Sequence, residues 1–311
     1  MTKYIKKNYV IGLYYIIILL IFVLSILPFF SSNLNFYSGN MEEEKDVCIR
    51  YNNASLEEKK EIEKDITFNN EICTALINEY KPGSFYLYYN YLLRNGVSSF
   101  IFPFFVPLLV IFPIIYKLSE EFRSKYIKNY LQRNEYKEYI KSIIKRSYKY
   151  ILIIPILLLS FAVVALIYSK FNFDPRYDIA LSRLSGEIGV HYNNPYFYIS
   201  YVLIILLNMG IYINIGLIIL RKNKNFFVAL IESFVAIYVF LCFTFIIIGL
   251  GVQNIYNASA ESLNLLEIYT WSNINNISLY LIVNVIYFIV SFTLAVIAYK
   301  NKEKFIKECE K

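Results

Sequence analysis

The chain has 311 residues, 57% of them hydrophobic and 18% aromatic, with a formal net charge of +7, and its apolar residues fall in long blocks rather than short alternating runs. That pattern points to an all-α, polytopic membrane protein and away from a soluble basic protein built to hold nucleic acid. Four cysteines and a single histidine, scattered along the chain, exclude a metal-ligand cluster.

A helix rises about 1.5 Å per residue and a bilayer's hydrocarbon core is about 30 Å thick, so roughly 20 apolar residues make one crossing. Six such blocks occur: Tyr9–Phe30, Val97–Leu118, Tyr150–Ser169, Phe197–Leu220, Phe226–Leu250 and Leu279–Tyr299. The first follows Lys3, Lys6 and Lys7, yet its apolar run is too long for a signal peptide and no small-residue cleavage site follows, so residues 1–30 are expected to keep a membrane helix.

Residues 31–96 are long enough for a small extracytoplasmic subdomain. Ser55 and Glu58 have the spacing of a capping box ahead of the Glu- and Lys-rich stretch Leu56–Ile66, which predicts a solvent-exposed helix. Cys48 and Cys73 flank that helix, and a bridge between them and two free thiols both remain open. In the second block, 97–118, Pro103, Pro107 and Pro113 lack backbone donors and predict a kinked or irregular helix.

Residues 119–149 follow. From Lys117 to Lys149 ten Lys/Arg and four Asp/Glu alternate with apolar residues. Phe122, Tyr126, Ile127, Tyr130 and Leu131, then Tyr139, Ile140, Ile143, Ile144 and Tyr148, recur at three- and four-residue intervals, the period of one helix face. An amphipathic cytoplasmic helix is therefore expected between the second crossing and the third, 150–169, either docking on a protein partner or lying on anionic lipid with none.

The loop 170–196 carries His191, read as an ordinary loop residue. Asn208, Gly210, Asn214 and Gly216 lie in the fourth block, 197–220, and Asn284 in the sixth, 279–299. Amides in hydrocarbon turn inward for partners, and glycines let helices approach closely. Glu232, in the fifth block 226–250, is the only ionisable side chain well inside a predicted span. At that depth a carboxylate costs at least ~2.5 kcal/mol. It reads either as a gating or coupling ion pair with a cytoplasmic base, or as a carboxyl snorkelling to the headgroups. Trp271, near the end of the external loop 251–278, suits the headgroup interface, and 300–311 form a tail.

Lys and Arg near helix ends stay cytoplasmic. Bases dominate residues 1–8, 117–149, 221–224 and 300–311; acids outnumber bases eleven to seven in 31–96 and two to none in 251–278. Both termini are expected inside, the parity six crossings require, and the positive charge serves topology and anionic lipid headgroups. Composition rich in Ile, Asn, Lys and Tyr leans to a bacterial cytoplasmic membrane.

None of the ten glycines precedes a lysine, so no phosphate loop for ATP exists in this chain, and the Gly-x-Ser-x-Gly, His-Glu-x-x-His and dinucleotide motifs are also absent. No enzyme chemistry is expected. One reading without transport is a membrane sensor or immunity protein that binds an external peptide through residues 31–96.

The run Ser119-Glu120-Glu121-Phe122-Arg123-Ser124-Lys125-Tyr126-Ile127-Lys128-Asn129-Tyr130-Leu131, continuing through Arg133, Tyr136 and Tyr139 to Lys141, resembles the segment between helices two and three of ABC-2 type transporter permeases. The six-helix plan is similar to that family as well. Many members carry a glycine where Lys125 stands and a proline near Asn134, and this chain has neither. The resemblance implies the membrane-spanning subunit of an exporter, pairing with a second copy or a related permease. It implies a separate nucleotide-binding ATPase subunit that carries ATP and Mg, with no cofactor in this chain. It also implies that Glu120, Glu121, Phe122, Arg123, Lys125, Tyr126, Ile127, Lys128, Tyr130 and Leu131 couple to that ATPase.

Overall fold

The computed structural model describes residues 2–55, 57–59, 84–94, 97–124, 126–133, 135–173, 195–244 and 277–301. Every regular element among them is helical: α1 (Thr2–Asn53), α2 (Phe85–Arg94), α3 (Val97–Arg123), α4 (Tyr126–Leu131), α5 (Tyr136–Ser147), a 3-10 turn (Tyr148–Leu152), α6 (Ile153–Tyr168), α7 (Pro195–Lys222), α8 (Phe226–Phe243) and α9 (Ile277–Ala298). Among the described residues five helical runs are long and apolar enough to cross a membrane: Tyr9–Leu27, Tyr136–Tyr168, Ile199–Lys222, Phe226–Phe243 and Tyr280–Ala298. The protein is a multi-pass membrane protein.

Two helices run further than hydropathy suggests. α1 continues past the first apolar block to Asn53, where Asp46 and Arg50 stand four apart with the acid first and Arg50 occupies the last turn. Both placements favour the helix. α5, the 3-10 turn and α6 form one run of 33 residues, so the third crossing is continuous with the basic segment before it. The prolines of α3 do not interrupt it; Pro107 and Pro113 lie within an unbroken helix.

The chain divides into two compact units. One comprises Met1–Ile21, Phe100–Leu158 and Asn194–Lys311. Here α7 and α9 run parallel: Tyr196 meets Ser278 at one end (3.1 Å), and at the other Arg221 Nε donates to the Ala298 carbonyl (3.2 Å). A three-residue turn leads into α8, whose N-cap Asn225 accepts from the Phe227 backbone N–H (3.2 Å), satisfying one of the free donors at that helix start. α8 buries Ala229, Ser233, Ile237 and Leu241 at four-residue steps and exposes Phe227, Ile231, Val235, Val239 and Phe243. Such an apolar outer face is what a membrane helix presents to lipid. Tyr14 of α1 packs in this unit, stacking on Phe112 (5.6 Å) and donating to the Leu109 carbonyl (2.7 Å).

The other unit comprises Phe22–Ser99 and Leu159–Asn193. In it Phe22 stacks on Phe161 (5.5 Å), and the start of α2 docks on the end of α6: the Phe85 N–H donates to the Asn172 carbonyl (2.7 Å), and the rings of Phe85 and Phe173 lie 5.6 Å apart. α6 terminates through Lys170 and Phe171, which hold positive φ of 50° and 60°. That left-handed conformation is uncommon for side chains other than glycine and closes a helix end.

The predicted Ser55–Glu58 pairing is formed. The Ser55 backbone N–H and hydroxyl both donate to Glu58 Oε2, at 2.9 and 2.8 Å. The backbone bond first, and the hydroxyl second, hold the carboxyl below the ordinary glutamate value. The stabilisation is therefore complete above about pH 4.3, the ordinary value, and lost as pH falls through the depressed one. A carboxyl NMR titration of Glu58 is expected to show a midpoint below that of a free glutamate, and Ser55→Ala to move it upward. An ordinary midpoint in the unsubstituted chain would remove the cap. Cys48 is buried and disulfide-bonded. Its partner, and Cys73 with it, lie outside the described residues.

Candidate functional site

The segment between α3 and α6 gathers most of the sequence-predicted site. α3 ends in two acids and an aromatic. Phe122 is buried inward, Ser119 returns its hydroxyl to the Tyr116 carbonyl (3.0 Å), and the Ser124 N–H closes on the Glu120 carbonyl (2.9 Å). Glu121 faces the other way in sequence: Arg146 of α5 grips its carboxylate with both terminal nitrogens, at 2.5 and 3.0 Å. The side chains are 15% and 25% exposed, so the pair is only partly desolvated and its two-pronged geometry specifies alignment more than it adds stability.

α4 is a single short helix. Its Ile127 is buried, while Tyr126 next to it is 42% exposed. Tyr130 is half-buried between the rings of Tyr126 (5.9 Å) and Tyr139 (5.2 Å), and Leu131 is half-buried beside it. Glu120 is half-buried too. Lys125 lies outside the described residues, and of Arg123 and Lys128 only the backbone is described.

α5 begins at Glu135, whose backbone is extended and whose carbonyl accepts from Tyr139 N–H (3.2 Å). It buries Tyr139, Ile143 and Ser147, one residue per turn. Two tyrosines fasten it to the membrane helices. Tyr136 donates its hydroxyl to the Tyr299 carbonyl just beyond α9 (2.6 Å), and the Tyr299 hydroxyl donates to the Leu217 carbonyl of α7 (3.0 Å). Tyr148 donates to Asn214 Oδ1 (2.7 Å), and Asn214 Nδ2 donates to Ser291 Oγ (3.0 Å), which donates in turn to the Phe288 carbonyl (3.0 Å). One buried amide thus joins the basic segment to α7 and α9 through bonds that hydrocarbon cannot replace.

The sequence singled out Asn214 as an amide needing partners and Tyr148 as part of an apolar period. It did not pair them, and Ser291 was missed. In a chain with 31 tyrosines, a tyrosine gives no signal of its own; the signal was the asparagine. Asn208, six residues earlier in α7, is fully buried with neither amide atom hydrogen-bonded among the described residues, and Asn284 donates through Nδ2 to the Tyr280 carbonyl (2.8 Å).

Glu232 lies apart from this network. Its side chain is exposed and Oε1 accepts from Asn223 Nδ2 (3.3 Å) in the turn between α7 and α8. A neutral amide at the helix end meets the carboxylate there. Among the described residues no group of three or more His, Cys, Asp or Glu is placed to hold a metal ion. No family model, no curated protein and no solved structure matches the chain.

Proposed function

We propose that the chain is the membrane-spanning permease subunit of an ATP-driven exporter of the ABC-2 type. In this reading α3 supplies a sixth crossing, both termini face the cytoplasm, and residues 119–149 lie on the cytoplasmic side of a bacterial cell membrane. A separate ATPase subunit holds ATP and Mg. Two copies, or one copy and a related permease, enclose the path, and aromatic and aliphatic walls with few fixed charges suit an amphipathic or hydrophobic cargo such as a peptide, drug or lipid-like molecule.

The observation that supports this best is Tyr126. It is an exposed aromatic on a helix whose neighbours Phe122 and Ile127 are anchored inward. The following helix is bound at Glu121, Tyr299 and Asn214. A push received at α4 would reach α7 and α9 through those bonds. Since Phe122 and Ile127 are occupied within the chain, the partner contact falls on Tyr126 and the polar residues around it.

Tyr126→Asp is expected to weaken binding of the separate ATPase subunit by roughly thirtyfold, about 2 kcal/mol for an aromatic anchor. Thermal stability of the purified chain should not change. Binding and stimulation of ATP hydrolysis that ignore Tyr126→Asp would sink the coupling assignment.

A further inference from the structure

One face of the run Tyr136–Tyr168 changes chemistry along its length. In α5 the buried positions Tyr139, Ile143 and Ser147 point roughly 160° around the helix from Lys137, Lys141 and Lys145, at about 100° per residue. These three lysines are exposed, as is Lys149 one turn later. In the rest of the run the exposed residues are Leu152, Ile156, Leu159, Val163 and Ile167. Each step from Lys137 to Ile167 is three or four residues, one turn of a 3-10 or an α-helix. The face is therefore continuous, with four lysines giving way to five aliphatic side chains.

The aliphatic part belongs to a helix long and apolar enough to cross a membrane, and it is left exposed among the described residues, so it meets acyl chains. The same face a turn or more toward α5 enters the headgroup layer. There a lysine lays its methylenes along apolar surface and carries its ammonium to phosphate. Arg146, on the same helix, is turned inward to Glu121 and does not share this task. Glu138 is the one exposed acid within α5, leaving the face strongly positive.

We propose that Lys137, Lys141, Lys145 and Lys149 form a headgroup site for anionic phospholipid at the edge of the membrane. Charge complementarity and continuity with the aliphatic row select lipid as the occupant. An ammonium on a flexible stem is a point charge suited to mobile phosphates, and needs none of the fixed geometry that the arginine fork supplies at Glu121. The site stands independently of any ATPase.

The test uses the full chain with Trp271→Phe and Leu152→Trp, placing one fluorophore a turn from Lys149. Reconstituted in phosphatidylcholine bilayers, the chain is exposed to brominated phosphatidylglycerol or, separately, brominated phosphatidylcholine, and quenching gives the relative association constant. The anionic lipid is expected to be favoured roughly fivefold for each lysine engaged at low salt. The preference should shrink as salt rises and vanish in Lys137→Gln/Lys141→Gln/Lys145→Gln/Lys149→Gln. If four changes impair insertion, Lys141→Gln/Lys145→Gln is expected to remove a large part of it. Equal quenching by the two lipids, or a preference that survives the glutamines, overturns the site. No lipid preference in the chain that keeps its lysines, together with ATPase binding that the glutamine variant loses, overturns the site and assigns the lysines to an acidic protein surface instead.

Discussion

Gly210→Ala is expected to destabilise the protein by about 1–3 kcal/mol, the usual cost of overpacking a filled site, whereas Gly216→Ala six residues along the same helix is expected to be neutral or mildly stabilising. A methyl at 210 would stand 2.5 and 2.9 Å from Cε2 and Cδ2 of Phe288. The ring cannot retreat freely, because Phe292 stacks on one side (6.0 Å) and Tyr148 meets it edge-on (6.3 Å). At 216 the nearest atom to such a methyl is Ile111 Cγ2, at 3.4 Å, within ordinary contact. There the intrinsic advantage of alanine over glycine in a helix, about 1 kcal/mol, is available to offset any crowding. Thermal unfolding of the two variants in detergent reads the difference. Phe288→Leu should restore part of the loss in Gly210→Ala, giving a favourable coupling in the double-mutant cycle. Equal tolerance at 210 and 216 would mean that α7 and α9 do not approach as closely as the glycine indicates.

The helical, membrane-crossing character of the chain was legible because long apolar blocks carry their own signal. Helix ends were less so. α1 runs beyond its apolar block through a charged stretch that hydropathy does not register as helix, with Arg50 in its last turn. α5 joins α6 through the five-residue 3-10 stretch Tyr148–Leu152 just ahead of Pro155, so the winding tightens without ending the run, although the composition changes sharply there. Within the candidate site the period of apolar residues identified a face but could not say which members the chain itself would consume. Tyr126 and Ile127 are adjacent and equally apolar by pattern, yet only Ile127 is buried. Nor could spacing distinguish Arg146 from the lysines around it: its partner, Glu121, lies 25 residues away and is met only once α5 folds back on the end of α3. Local patterns carry helix faces; partners across the fold depend on packing that a single sequence does not print.

The two asparagines of α7 sharpen that point, since the same substitution should move stability in opposite directions. Both are fully buried. Asn214 uses its carbonyl oxygen for Tyr148 and its amide nitrogen for Ser291. Asn214→Leu removes both bonds and leaves the Tyr148 hydroxyl without its acceptor, while Ser291 keeps its bond to the Phe288 carbonyl. Interhelical bonds in membranes are worth about 0.6 kcal/mol on average and at most about 1.7, and stranding a buried hydroxyl adds about 1–3 kcal/mol. A loss of about 2–3 kcal/mol is expected, and Tyr148→Phe, which strands only the Asn214 oxygen, should cost less. Asn208 has neither amide atom bonded among the described residues. Asn208→Leu removes a desolvated amide and breaks no bond, so it should be neutral or raise the unfolding temperature. Measured side by side, destabilisation at 214 with none at 208 identifies the amide that joins the basic segment to the membrane helices. Matching losses at both positions would show that Asn208 is bonded in the protein, and that Asn214 is not the sole polar tie at the centre of α7.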